Sequence, residues 1–519
     1  MYDVAVLGGG ISGMATAARL QAAGLATIVL ESHALPGGCA GFFRRRGFAF
    51  DVGATTLVDF SLGGIGGELL TAIGLYNLDV EELPGYVALL PDRRVTLFRD
   101  VRRWRSERLS MLGKSPPHIR LWQILDHLAD VFWNATRSGI RLPVQTPRDI
   151  WRIATAIPPT DWPLVRYVRW TVGDLLRSLG LRSDKPVCGL LSMLLEDTVH
   201  AGLDDAPLIN ASLGITIRGA GLSRARGGMY GFWRRFVARY RELGGILRVS
   251  CPVSAVSRER GYVVRMRHGL VRARQVVSAL PIEMTARLAP VEVGEGLQPY
   301  LRRDNAAVGG ALVLFLGVPE REVAGSDFTH HQLLQDYDLP LGNGNNMFIS
   351  VSSPGDTMSA PAGFRAVMIS THCKLEEWEG LNKTEYEAQK QVRRELLLKY
   401  SRRVYPRLGE SPVVCELATP QTFERFTRRP RGAVGGFHQR LSNTNQRSVP
   451  HATGLSGFWL VGDTTWPGLG TVACVHASRI VAEGILTTWS KSVLRNQLLP
   501  EQEHQHDHAY AAREPDATH

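Results

Sequence analysis

Two stretches of this chain, more than four hundred residues apart, carry residue types at spacings that can do chemistry. The first is Gly8-Gly9-Gly10-Ile11-Ser12-Gly13, a GxGxxG turn. Gly8 permits a tight turn, Gly10 lets backbone approach a pyrophosphate, and Gly13 lets the following helix lie close to its strand. Anionic phosphates then sit at the positive end of that helix. Eighteen residues after Gly13 comes Glu31, placed to accept hydrogen bonds from ribose hydroxyls and, being acidic, to disfavour a 2′-phosphate. The doublet Gly37-Gly38, in Pro36-Gly37-Gly38-Cys39-Ala40-Gly41, is read as a second close approach to a pyrophosphate and the group beyond it, which favours FAD over NAD. The second stretch is Leu460-Val461-Gly462-Asp463-Thr464-Thr465, followed by Gly468-Leu469-Gly470-Thr471-Val472-Ala473. Asp463, just past a strand end, is placed to take hydrogen bonds from a ribityl and pyrophosphate region. Gly470, Thr471 and Val472 open a helix whose N-terminus can stabilise negative charge on a reduced flavin ring. Phe48–Gly53 is either an aromatic strand ending in a turn or a segment lying beside the flavin.

The elements that must position these residues are legible in outline. Tyr2–Leu7 is an apolar run suited to a buried parallel strand, Ile11–Ala23 a small-residue helix stopped by Gly24, and Ala26–Leu30 a second strand. Val87–Phe98 has strand character. Val101 to about Ile217 reads as mostly helical, broken by prolines at 116–117, 143, 147 and 158–159. Met229–Leu243 reads as a helix; Leu247–Val256, Val263–Met266, Gln275–Ala279, Ala311–Leu316, Met347–Val351, Arg365–Ser370 and Phe458–Val461 read as strands. Lys383–Tyr400 is a charged helix and Ala473–Trp489 a final one. The expected class is α/β: a Rossmann-like FAD-binding domain built discontinuously from 1–85, 222–295 and 436–495. A mixed-sheet substrate domain, 86–100 and 296–435, is inserted into it. A helical, membrane-facing subdomain spans 101–221, and a disordered tail 496–519, with four histidines after Pro500.

At 519 residues, 44% hydrophobic and 21% charged, the chain has globular composition. Its net charge of +11 is concentrated: from Arg93 to Arg182 there are seventeen Lys or Arg against seven Asp or Glu, together with Trp104, Trp122, Trp133, Trp151, Trp162 and Trp170. Arg with Trp suits an anionic membrane surface, with a basic helical subdomain carrying core tryptophans as the alternative. No nucleic-acid motif accompanies the charge, and no nucleic-acid partner is expected. Six scattered cysteines show no CxxC spacing, so neither a zinc site nor a dithiol is indicated. The apolar runs, such as Ala311–Val318 and Val187–Leu195, are too short to span a bilayer, which needs ~18 residues. A first strand at Tyr2 leaves no room for a signal peptide. The expected location is cytoplasmic, on the face of a membrane.

Together these motifs resemble the carotenoid desaturase and isomerase family within the amine-oxidase-like FAD group, over most of residues 1–490 and least from about 95 to 220. Arg226-Gly227-Gly228-Met229, a helix and Gly244-Gly245 resemble the family's segment before its adenine-contacting strand, on which Val253 matches the residue whose backbone meets the adenine. Val276–Pro281 resembles the return strand. Asn346–Ser352 and Ala360–Gly363 resemble the bacterial carotenoid C-3′,4′ desaturase and carotenoid isomerase branch. The sequence departs from that pattern at Cys39, where many relatives have Arg or Ser, and at Trp466, where they often have a polar residue.

The resemblance implies dehydrogenation of a carotenoid or other polyene lipid by hydride transfer to flavin N5. The polyene would lie in a dry tunnel, and oxygen or a quinone would be the acceptor. It leaves open an isomerase using reduced FAD, a saturase, and an amine or porphyrinogen oxidase. From a different class comes a non-catalytic lipid-binding module like the prenyl-binding GDP-dissociation inhibitors. The intact Gly8, Gly10, Gly13, Glu31 and Asp463 set weighs against that module. No base is assigned: His200 and Glu196 lie in an apolar helical segment where either could face the tunnel, with a surface or satisfied core position the first expectation.

Overall fold

A computed structural model describes residues 1–216, 221–304 and 306–498. The tail expected from 496 is corrected at its start, since 496–498 belong to the final helix; from residue 499 it lies outside the described residues, as does Ile217.

The dinucleotide half is a seven-stranded sheet. Its parallel layer runs Ile246–Arg248, Thr27–Leu30, Tyr2–Leu7, Leu270–Ser278 and Phe458–Leu460. The central runs, residues 4–7, Thr27–Leu30 and the last residues of Leu270–Ser278, are buried on both faces, as the inside of a parallel layer requires, while Ile246–Arg248 forms an exposed edge. An antiparallel hairpin, Val253–Glu259 with Gly261–Met266, joins through the first half of Leu270–Ser278. The helix Ile11–Ala22 crosses between the first two strands. It packs on the final helix, Thr471–Leu498, with Arg19 Nε donating to Ser478 Oγ at 3.2 Å. Gly13 lets the same helix lie close to the sheet: a Cβ there would lie 2.2 Å from the Gly8 carbonyl oxygen and 2.9 Å from Ala279 Cβ.

The second sheet also has seven strands, in the order Val414–Ala418, Gly310–Pro319, Phe364–Cys373, Asn346–Val351, His330–Leu334, Gly85–Leu89 and Arg94–Phe98. All neighbours are antiparallel except His330–Leu334 against Gly85–Leu89. Period-two alternation divides its faces. Leu312, Leu314 and Leu316 enter the core that includes Leu397 of the charged helix Lys383–Ser401. Ala311, Val313 and Phe315 turn the other way, toward Phe48 and Phe50. The helical segment holds a third core, around Leu121, Trp122, Leu125, Leu175 and Leu194. Its helices are capped from the sequence: Thr146 with Asp149 and Thr171 with Asp174 form reciprocal capping boxes.

One element reading is sharpened and two are corrected. The strand character at Val87–Phe98 is that of a hairpin, with Pro91-Asp92 making the turn. Leu247–Val256 is two strands, interrupted where Ser250 adopts a left-handed φ of 53°. The last helix begins at Thr471, so Thr471 and Val472 belong to its first turn. Of the six tryptophans in the basic segment, Trp122 and Trp133 are buried, Trp104 and Trp170 partly so, and Trp151 and Trp162 are 66% and 57% exposed. Much of the local positive charge is paired internally: Arg108 with Asp126, Arg137 with Asp59, Arg141 and Arg152 with Glu483, and Arg177 and Arg182 with Asp204. No described helix is long and apolar enough to cross a membrane.

Candidate active site

Between the two sheets lies a cavity of about 1440 Å³, beyond the ~300–1,000 Å³ of an ordinary small-molecule site. Both distant motifs reach it. Gly8, Gly10, Glu31, Gly37, Gly38, Val253, Gly462, Asp463, Gly470 and Thr471 all line it. Gly13 and Val472 do not; Gly13 acts through helix-to-strand packing, and Val472 packs on the core of the dinucleotide half. The two ends of the chain meet closely: a Cβ on Gly462 would sit 3.7 Å from Ser12 Oγ.

The glycines form a cradle. A Cβ at Gly10 or Gly470 would meet nothing within 4 Å and would project into open space, in the room a ligand backbone needs. Gly37, at φ 123°, is held by its N–H donating to the Gly9 carbonyl at 2.8 Å, so the doublet is fastened to the first turn. The Ile11–Ala22 helix points its N-terminus at this cradle and has no acid in its first turn to cancel the positive end. Glu31 is fixed beside it: Oε2 accepts from Gly9 N–H at 2.6 Å and Oε1 from His33 N–H at 2.7 Å. An ionised carboxylate has further lone pairs for hydroxyl donors. Phosphate cradle, acidic ribose acceptor and a second helix N-terminus fit FAD as a group.

Sequence reasoning missed Arg429. Its guanidinium pairs with Asp463 deep in the cavity, the side chains being 14% and 12% exposed. Burial works against the arginine's charge, but Asp463 outweighs it and holds the pKa above its ordinary value. Two thiols share this pocket. Burial pushes Cys39 up, with Arg429 opposing, and pushes Cys474 up with Asp463 adding, so both are neutral. Within the motif Arg428-Arg429-Pro430-Arg431 nothing distinguishes the one arginine that turns inward.

Beyond the cradle the walls carry apolar side chains, with the polar Asp197, Gln332, Asn346 and Thr371 among them. Met193 and Leu194 come from the helix Lys185–Thr198, Ala311, Val313 and Phe315 from one strand, and Met347 and Phe348 from another. Tyr86 packs on Phe348 at 5.4 Å between centroids. His200 and His372 also line the cavity, and Glu196 contacts His372 at 3.5 Å. The expectation of a satisfied position for His200 is corrected: it is 8% exposed and its Nδ1 is buried without a hydrogen-bond partner.

Residues 196–486 match the model of the flavin containing amine oxidoreductase family, and residues 6–64 that of an NAD(P)-binding Rossmann-like domain. The chain belongs to the flavin containing amine oxidoreductases. As a member it is an oxidoreductase whose cofactor is FAD. Among the relatives of this chain is prolycopene isomerase 1, chloroplastic, of an Oncidium hybrid cultivar, 26% identical over 93% of this chain and 84% of the relative. The 4,4′-diapophytoene desaturase (4,4′-diaponeurosporene-forming) of Staphylococcus aureus (strain COL) is 19% identical over 94% of this chain and all of its own length. Wild-type putrescine oxidase bound to putrescine shares the fold, with a TM-score of 0.60 at 15% identity, over 94% of this chain and 99% of that one.

Proposed function

We propose that this protein is an FAD-dependent carotenoid oxidoreductase, a desaturase that dehydrogenates a C40 polyene. The observation that carries the reading is the continuity of the cavity: the glycine cradle and the apolar sheet face line one space. Full-length likeness to a diapophytoene desaturase supports it. In this reading the first glycine turn holds the diphosphate, Glu31 the adenosine ribose, Val253 the adenine and Asp463 the ribityl chain. The N-terminus of the helix starting at Thr471, which lines the cavity, would stabilise negative charge on a reduced ring. When bound, FAD supplies a two-electron acceptor, itself reoxidised by oxygen or a quinone. The walls bind a polyene by burying its apolar surface, at roughly 25 cal/mol per Å², and exclude water.

The likeness to a prolycopene isomerase supports a second reading, isomerisation with reduced FAD and no net oxidation. Incubation with candidate carotenoids in liposomes separates the two. A desaturase lengthens the chromophore and red-shifts absorption; an isomerase changes only the cis band and fine structure. No spectral change with any carotenoid would refute both.

We also propose that the protein takes its substrate from an anionic bilayer through the segment 147–169. Ile150, Trp151, Trp162, Val165 and Val168 are exposed there, Val165 by 72%, beside exposed Arg148, Arg166 and Arg169. Exposed Trp and aliphatic groups rimmed by arginine suit a surface-lying anchor. Trp151→Ser with Trp162→Ser should lower sedimentation with anionic liposomes at least tenfold, by the area each ring buries. Unchanged sedimentation would remove the proposal.

A further inference from the structure

We propose that His200 is the proton acceptor of the reaction, with His372 and Glu196 carrying the proton onward; this rests on the desaturase reading above. His200 follows the helix Lys185–Thr198 and holds a left-handed φ of 51°, which is uncommon for a residue with a Cβ. Its backbone N–H donates to the Leu195 carbonyl at 3.0 Å, so the ring projects from an anchored helix end. The chain opposite makes way for it. A Cβ on Gly435 would lie 2.2 Å from His200 Cε1, and one on the next residue, Gly436, 2.2 Å from the Asp463 carbonyl oxygen. The ring therefore rests on the two-glycine loop that also touches the cofactor segment.

The His200 ring meets His372 edge-on with centroids 4.8 Å apart, and His438 at 5.9 Å. His372 Nδ1 lies 3.5 Å from Glu196 Oε1, one helical turn before His200. A buried ring nitrogen without a partner is costly, and a left-handed backbone adds to that. A merely structural residue would be expected to find a partner. The combination of orphaned nitrogen, strained backbone and a cavity-lining ring instead suits a group that reacts with what enters the cavity. Burial first, then His372 and His438, hold His200 well below its ordinary range, so the resting ring is neutral and a weak base, able to take a proton only from a strongly acidic donor such as the polyene cation that hydride loss would leave. The charged groups acting on this trio are Glu196, and Arg440 and Asp205 beside His438.

Dehydrogenation removes a hydride from one allylic carbon and a proton from its neighbour. FAD held in the glycine cradle would supply the two-electron acceptor for that hydride. The C–H electron pair left by the proton forms the new double bond, and the proton binds the His200 ring. From there it passes to His372, which the Glu196 carboxylate stabilises when charged. His200 is the catalytic residue in this scheme; His372 and Glu196 are positioning and relay residues.

The test is anaerobic single turnover, following bleaching of the flavin band when polyene is mixed with holoenzyme. His200→Gln should slow bleaching by about a hundredfold or more, the usual range for a general base, with FAD content and polyene affinity retained. Glu196→Gln and His372→Gln should slow it by about tenfold. Histidine-labelled NMR gives a readout independent of turnover. Glu196→Gln should move the His372 and His200 resonances together, and polyene binding should move that of His200. If His200→Gln does not fold, the other two variants and the NMR decide. Bleaching by His200→Gln at the wild-type rate, or a His200 signal blind to both polyene and Glu196→Gln, would overturn the inference alone. A wild-type flavin that no polyene bleaches would overturn the desaturase reading and this inference with it.

Discussion

Replacing Arg429 by Gln tests whether the cavity is built around a charge pair. The guanidinium and the Asp463 carboxylate are 14% and 12% exposed, so removing one partner strands the other in a poorly solvated place. Breaking such a pair costs about 3–5 kcal/mol. At roughly 2.1 cal/mol/K per residue the unfolding entropy is on the order of 1.1 kcal/mol/K, given 519 residues. The apoprotein should therefore melt about 3–5 °C lower. Binding suffers separately. The cradle then presents an uncompensated carboxylate near an anionic diphosphate, and the loss of one charge-assisted contact is about 1.5–3 kcal/mol, or roughly 10- to 150-fold in FAD affinity. Calorimetry of the apoprotein and quenching of FAD fluorescence measure the two effects. ADP should lose affinity alongside FAD, whereas riboflavin, lacking the diphosphate, should not. Adding Asp463→Asn to Arg429→Gln should recover part of the stability, with a coupling of at least about 1 kcal/mol. A single variant that melts with wild type and binds FAD unchanged would show that the pair has no role in either.

Three further outcomes are expected. Glu31→Gln keeps one acceptor oxygen where the carboxylate uses two, for Gly9 and His33; FAD affinity should fall about tenfold, a loss of one charge-assisted bond, read by equilibrium dialysis. Burial holds His476 at about 3 and His451 and His331 at about 4. Their folded values lie below the unfolded value, so the unfolded chain takes up protons first, and stability present above pH ~6.5 is lost as pH falls toward 4, by up to about 1.4 kcal/mol per unit per histidine. A melting temperature flat from neutral pH down through this window would contradict that burial. Asp51 accepts from Arg224 at 2.6 Å and from Met229 N–H at 2.7 Å, with both side chains at most 5% exposed. Asp51→Asn should cost about 3–5 kcal/mol by leaving Arg224 uncompensated, visible in denaturant unfolding.

The cradle was legible because its constraints are local. Gly8, Gly10 and Gly13 are demanded by one turn and one helix packed on one strand, and Glu31 by the end of the next strand, all within a single βαβ unit. Capping boxes are local for the same reason. Arg429 and His372 were not legible, because what makes them part of the site is a partner far along the chain. Arg429 needs Asp463, thirty-four residues on, and His372 needs Glu196 from a different subdomain. The turn at Pro91-Asp92 was readable but is flanked by apolar residues, which alone give strand character to the whole of Val87–Phe98.

The same non-locality bears on how the two functions of the cavity depend on each other. The strand Phe48–Asp51 sits between them. Its Phe50 touches Phe43 at 5.1 Å, and Phe43 touches Phe315 at 4.9 Å, so it backs two rings that line the cavity. Its Asp51 clamps the N-terminus of the helix Gly228–Glu242, whose Trp233 donates to the Ala40 carbonyl at 2.7 Å and thereby holds the glycine doublet. One four-residue strand thus ties the apolar wall to the phosphate cradle through rigid packing and buried hydrogen bonds. A change at either end has little room to relax without moving the other. Cofactor affinity and polyene affinity should on this argument be coupled, each ligand tightening the other, with the coupling lost when Asp51 is replaced.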